Sequence, residues 1–162
     1  MLTRFSYAMP TKVFFGQDCV KNHRSEWVLG KKAFVVTGRT SAKMSGALDD
    51  VLNNLGVEYE LFSEVENNPS LETVARGGKA AREAGCDFVV AIGGGSPLDA
   101  AKVMAVLAKN DKDPMALYSE GWGNGALPVV AVPTTAGTGS EVTPYAVLTI
   151  ERDQTKRGLG GY

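Results

Sequence analysis

Residues 88–102 read Phe88-Val89-Val90-Ala91-Ile92-Gly93-Gly94-Gly95-Ser96-Pro97-Leu98-Asp99-Ala100-Ala101-Lys102. The first five are apolar and rich in β-branched residues, as a parallel strand covered on both faces requires. The three glycines that follow admit φ > 0 and leave no Cβ between backbone N–H groups and an approaching anion. Ser96 reads as an N-cap, Pro97 fits the first helical position, and Asp99 three residues after Ser96 completes a capping-box-like pattern. Leu98, Ala101, Ala105 and Val106 then recur close to helical spacing. The unpaired N–H groups and positive dipole end of such a helix face whatever lies over the glycines, so the segment reads as a phosphate site. The competing reading is a tight turn that needs small residues and binds nothing.

Outward from this segment, strand-like and helix-like stretches alternate from about residue 33, the signature of βαβ units. Ala33-Phe34-Val35-Val36 is a buried strand ending at Thr37-Gly38. A helix carrying Met44, Leu48, Val51, Leu52 and Leu55 follows, stopped by Gly56. Val57 to Phe62 alternates as an edge strand does, and a helix from about Leu71 to Ala84 contains the weak point Gly77-Gly78, costing about 1 kcal/mol per glycine against alanine. Pro128 to Val132 is a further buried strand. Small or polar residues close each strand, and in an open parallel sheet those ends share one ligand-binding crevice. Phe5, Tyr7, Met9, Val13 and Phe15 alternate around Pro10-Thr11, which predicts an N-terminal β-hairpin, either capping a sheet edge or pairing with another subunit. The fold class expected is α/β: a Rossmann-like open parallel sheet with helices on both faces, preceded by that hairpin.

Composition narrows the function. The 162 residues suit one domain able to bury roughly 70% of its unfolded surface. Seventeen basic residues against 18 acidic ones give a formal charge of −1, with no electrostatic footprint for nucleic acid or anionic membrane. No run approaches a membrane span and the N-terminus has no signal-like apolar region. Cys19 and Cys86 lack metal-type spacing, which fits a reducing, cytoplasmic location without disulfides. The single histidine, His23, stands in a polar stretch and reads as a surface residue, and Asp111 and Asp113 read as a turn.

A second segment repeats the theme. Residues 133–143 read Pro-Thr-Thr-Ala-Gly-Thr-Gly-Ser-Glu-Val-Thr directly after a buried strand. Hydroxyls and close-approach backbone donors together suit a pyrophosphate or a ribose; a polar loop whose threonines cap one another is the alternative. Gly93 to Lys102 with Pro133 to Thr143, at this separation, resembles the iron-containing alcohol dehydrogenase family, whose motifs are GGGSxxDxAK and PTTAGTGSEVT. The resemblance runs from about Phe14-Phe15-Gly16 to Lys156-Arg157-Gly158 and covers only the family's N-terminal, cofactor-binding domain.

The resemblance implies a nicotinamide dinucleotide as ligand. Gly94, Gly95 and Ser96 would hold its pyrophosphate, with Asp99 supporting the loop or reaching the nicotinamide side. Thr134, Thr135, Thr138 and Thr143 would line the phosphate and nicotinamide half, Asn68 would lie near the adenosine, and Lys156 would reach the nicotinamide ribose, although a solvated hairpin lysine fits equally. Where NAD-preferring members often carry an acid at the end of the first strand, this chain has Gly38, followed by Arg39, Thr40 and Ser41. Glycine makes room for a 2′-phosphate and Arg39 could pair with it, so NADP(H) is expected over NAD(H); Arg39 as a plain surface charge is the competing explanation.

The family oxidises alcohols or reduces aldehydes by hydride transfer, with iron(II) or zinc polarising the substrate oxygen. Its metal ligands, one aspartate and typically three histidines, belong to a C-terminal helical domain that the resemblance places beyond Tyr162. Residues 1–162 are accordingly expected to be a truncated dinucleotide-binding domain that binds cofactor without catalysing, or else a stand-alone nucleotide-binding module. Exposure of the interdomain face would favour self-association into a homo-oligomer.

Overall fold

In a computed structural model of the chain, residues 9–160 are described. The elements run α1 (Cys19–Asn22), α2 (Arg24–Trp27), β1 (Lys32–Gly38), α3 (Ser41–Met44), α4 (Ala47–Leu55), β2 (Glu58–Val65), α5 (Leu71–Glu83), β3 (Phe88–Gly93), α6 (Gly95–Lys109), α7 (Leu117–Glu120), β4 (Val129–Pro133), β5 (Tyr145–Ile150) and β6 (Thr155–Gly160). Four strands form a parallel sheet in the order β2-β1-β3-β4, and β5 pairs antiparallel with β6. The strand order reverses between β1 and β3, so the crevice outside their C-terminal ends is where an open α/β sheet binds its ligand.

Period-two alternation divides the core into two layers. Phe34 and Val36 of β1 and Val89 and Ala91 of β3 face α5 and α6, among them Val74, Leu98, Met104 and Leu107. Ala33 and Val35, with Phe88, Val90 and Ile92, face the other side, where Trp27, Leu48, Val51 and Leu55 cover them. The sheet is thus clothed by helices on both faces, as its apolar strands predict.

The α5–α6 contact explains Gly77 and Gly78. A Cβ on Gly78 would overlap Leu107 Cβ, and one on Gly77 would overlap the Met104 side chain. These glycines let two helices approach closely, and the packing gained outweighs their poor helix propensity.

Four local expectations are corrected. The strand expected to be buried at Pro128 to Val132 is the edge strand β4, exposed at Val129 and only partly buried from Val130 to Val132. The single helix expected around Met44 to Leu55 is two, α3 and α4, divided at Gly46, which sits at φ 78° as the N-cap of α4. Met44 faces solvent at 85% exposure, because the break rotates it off the apolar face. Of the expected hairpin, Phe5 and Tyr7 lie outside the described residues; residues 9–15 carry no strand, and Phe15 and Val13 are exposed. Finally, α6 begins at Gly95 with Gly94 as its N-cap, not at Pro97. Ser96 is therefore inside the first turn, and the capping box expected between Ser96 and Asp99 does not form because both side chains bond elsewhere.

Candidate dinucleotide site

Backbone geometry at the C-terminal end of β3 builds the centre of the site. Gly93 sits at φ 143°, where an L side chain is strained, and a Cβ there would lie 2.8 Å from Pro97 Cγ. The chain then enters α6 through Gly94 and Gly95. A Cβ on Gly94 would lie 3.4 Å from Thr135 Oγ1, and one on Gly95 would lie 3.0 Å from Thr138 Oγ1. The glycines thus keep open a narrow space between the helix start and the threonine-rich loop, one that a Cβ would fill. The Thr134 N–H donates to the Gly93 carbonyl at 2.9 Å, which fixes the loop beside the turn.

Two cavities flank this turn. One, of about 450 Å³, is lined by Asn68, Gly95, Ser96, Asp99, Thr138, Ser140, Thr143 and Lys156 together with the outer face of β5. The other, of about 670 Å³, is lined by Gly38, Arg39, Thr40, Ser41, Glu66, Gly94, Gly95, Ser96, Thr134 and Thr135 among others. All thirteen residues singled out in the sequence line one cavity or the other, and the two share Gly95 and Ser96. The larger cavity lies at the ends of β1 and β2, where Gly38 pairs with Val65.

Asn68 occupies the left-handed region at φ 59°. Its N–H donates to Ser96 Oγ at 3.1 Å, and its Oδ1 accepts from Lys156 Nζ at 2.8 Å. The sequence reading set Asn68 by the adenosine and Lys156 by the nicotinamide ribose; the structure brings them together on the wall of the smaller cavity. Thr149 Oγ1 donates to the Asn68 carbonyl at 3.0 Å, and the Thr149 N–H donates to Pro69 O at 2.8 Å, so the β5–β6 hairpin that carries Lys156 is docked on this loop.

Electrostatics at the site are held by hydrogen bonds. Burial raises the Glu66 carboxyl, but the Ser70 N–H and the Thr73 hydroxyl, donating at 2.8 and 2.9 Å, outweigh it and hold the group below the usual carboxylate range. Burial pushes the Lys102 ammonium below its usual range, partly offset by the nearby Asp99 carboxylate. Asp99 accepts from Ser140 Oγ at 2.5 Å and from the Val147 N–H at 2.9 Å, and so braces the loop.

Sequence reasoning missed Ser140, Glu66 and the role of Lys102. Ser140 and Lys102 stood inside the two quoted motifs. Their partnership across 38 positions follows from the packing of β5 on α6, which no local pattern reveals.

No group of three or more His, Cys, Asp or Glu residues among the described residues could hold a metal ion. His23 stacks on Phe14 and neighbours Glu26, Asp111 is ion-paired to Arg82, and Asp113 caps the turn at Met115. The donor set present does not fit iron or zinc. No helix of the described residues is long and apolar enough to cross a membrane.

A doubly wound parallel sheet with a glycine turn and hydroxyl loop over its switch point defines a dinucleotide-binding fold. Residues 10–162 match the family described as iron-containing alcohol dehydrogenase, and the chain belongs to that family. It is similar to NADH-dependent butanol dehydrogenase B of Clostridium acetobutylicum (36% identical, 89% of this chain and 38% of that one) and to 1,3-propanediol dehydrogenase of Citrobacter freundii (38% identical, 94% and 41%). Among solved structures it is similar to an iron-containing alcohol dehydrogenase of Thermotoga maritima, with TM-score 0.90, 45% identity, and 98% of this chain covering 45% of that one. The chain therefore spans about two fifths of the length of the curated relatives it matches.

These comparisons overturn the expected preference for NADP(H). Beside the C. acetobutylicum NADH-dependent butanol dehydrogenase B, two Bacillus subtilis relatives, 38% and 36% identical, are named "Probable NADH-dependent butanol dehydrogenase" 2 and 1, and a similar sulfoacetaldehyde reductase structure from Bifidobacterium kashiwanohense is a complex with NAD+. NADPH appears in the name of one relative, from Clostridium saccharobutylicum, 32% identical. The Glu66 carboxylate, held ionised by the Ser70 and Thr73 donors, puts negative charge on the lining of the cavity that Gly38 and Arg39 share, which disfavours a 2′-phosphate there.

Proposed function

We propose that this chain is the dinucleotide-binding domain of an NAD(H)-dependent alcohol dehydrogenase. The observation that carries the reading is the pair of cavities that share Gly95 and Ser96. A dinucleotide is two nucleosides joined by a pyrophosphate, and the glycine turn at the start of α6 suits that central group. Gly94, Gly95 and Ser96 hold the pyrophosphate. Gly38, Arg39 and Ser41 flank the adenosine ribose, with Thr134 and Thr135 beside the phosphates. Thr138, Thr143, Asn68 and Lys156 bound the nicotinamide half, and Asp99 keeps that wall in shape.

When bound, the nicotinamide supplies the hydride donor or acceptor; the residues of this chain bind it, orient it and cover one face. Residues 1–162 form one domain of a longer chain, and the remaining part supplies the metal and the alcohol or aldehyde pocket. The names of the butanol and 1,3-propanediol dehydrogenases support that substrate class. Self-association is expected through apolar surface at Val129 of the edge strand β4, which lines neither cavity. The free cysteines Cys19 and Cys86 fit a reducing cytoplasm.

Calorimetric titration of the chain with NADH tests the reading. One site with a Kd on the order of 0.01–1 mM is expected, weak because one wall of the full cleft lies on the other domain. NAD+ reduction by an alcohol is not expected of this domain alone. A titration with no saturable heat would overturn the assignment.

A further inference from the structure

Lys102 lines neither cavity, yet every group it touches lines the smaller one. Its ammonium donates to Ser140 Oγ at 2.7 Å and to the Tyr145 carbonyl at 2.6 Å, and lies 3.5 Å from Asp99 Oδ1. Asp99, one turn earlier on α6, accepts from Ser140 Oγ and from the Val147 N–H. Both side chains are largely shielded, at 14% and 16% exposure. In a strand the carbonyl of one residue and the N–H two residues on face the same edge. Lys102 and Asp99 therefore act along the β5 edge opposite β6 as a neighbouring strand would, one satisfying the carbonyl and the other the N–H. The same pair holds Ser140, the residue that closes the threonine-rich loop.

We propose that Lys102 is a positioning residue: with Asp99 it clamps Ser140 and the outer edge of β5 to α6, and so holds the wall of the smaller cavity in its binding shape before any ligand arrives. The clamp is electrostatic and directional, so charge and donor count at position 102 matter more than side-chain volume. Methionine there fills similar space but leaves the Tyr145 carbonyl and the Asp99 carboxylate short of a partner. Arginine keeps the charge and the donors.

The test uses the 162-residue chain and the variants Lys102→Met, Lys102→Gln and Lys102→Arg. Without ligand, amide hydrogen exchange at Ser140 and Val147 is expected to accelerate about tenfold in Lys102→Met while β1 and β3 amides keep their protection. The Kd for NADH is expected to rise about tenfold, the size of one charge-assisted hydrogen bond. Lys102→Arg is expected to restore both to within about threefold, a rescue that a merely space-filling residue would not show. Unchanged exchange at Ser140 and Val147 in Lys102→Met overturns the proposal, as does equal loosening of loop and sheet. If Lys102→Met does not fold, Lys102→Gln decides by the same criterion. The binding arm rests on the dinucleotide reading; if the wild-type chain binds no NADH, that reading falls, and the exchange arm still decides the clamp.

Discussion

The backbone N–H of Asn68 donates to Ser96 Oγ at 3.1 Å, joining the loop after β2 to the first turn of α6 across the mouth of the crevice. The Ser96 oxygen accepts from Asn68, and under the proposed function its proton donates to a phosphate oxygen over the glycine turn. Ser96→Ala removes both while leaving the packing of α6 intact. Affinity for NADH is expected to fall about five- to tenfold, with the melting temperature lowered by no more than about 4 °C. Calorimetry and a thermal melt on the same sample check the two together; an unchanged Kd would remove Ser96 from the site.

Glu66 ties stability to pH. Its folded-state pKa lies below the unfolded value, so the carboxylate contributes stability that is present above the unfolded pKa and lost as pH falls through the folded one. Glu66→Gln is expected to lower stability at pH 7 by about 0.5–1 kcal/mol, a figure already discounted for solvent screening. The gap between wild type and variant closes as pH drops below about 4.5, the ordinary glutamate range. Urea melts at pH 7 and pH 4 read the difference, and a gap that widens on acidification would contradict it.

Gly78 sets two magnitudes against each other. Alanine in a helix interior gains about 1 kcal/mol over glycine, but its Cβ would overlap Leu107 Cβ in the α5–α6 contact, and overpacking costs about 1–3 kcal/mol. Gly78→Ala is therefore expected to destabilise the chain by about 0–2 kcal/mol net. A urea melt showing clear stabilisation would mean that the helices separate at little cost.

Much of this was legible beforehand, for reasons that particular residues make plain. Phe88 to Ile92 and Ala33 to Val36 are unbroken apolar runs, and a strand buried on both faces leaves no other pattern. The thirteen candidate residues, drawn from the glycine and hydroxyl segments at strand ends and from the family resemblance, all line the two cavities. What escaped was set by tertiary context. Gly46 breaks the helix that the spacing of Met44 and Leu48 implies. Ser96 gives up its expected cap because Asn68 lies within reach. The expectation about the 2′-phosphate read an exposed arginine as a partner without the Glu66 carboxylate that shares its cavity.

The central claim is that one dinucleotide spans both cavities across Gly95 and Ser96. The most direct measurement is an amide NMR titration of the chain with NADH. Resonances of Gly38 and Ser41 in one cavity and of Thr138 and Lys156 in the other are expected to shift together along a single binding curve, with Gly94 to Ser96 shifting most. Shifts confined to one cavity, two curves with different midpoints, or no shift at the glycine turn would contradict the account.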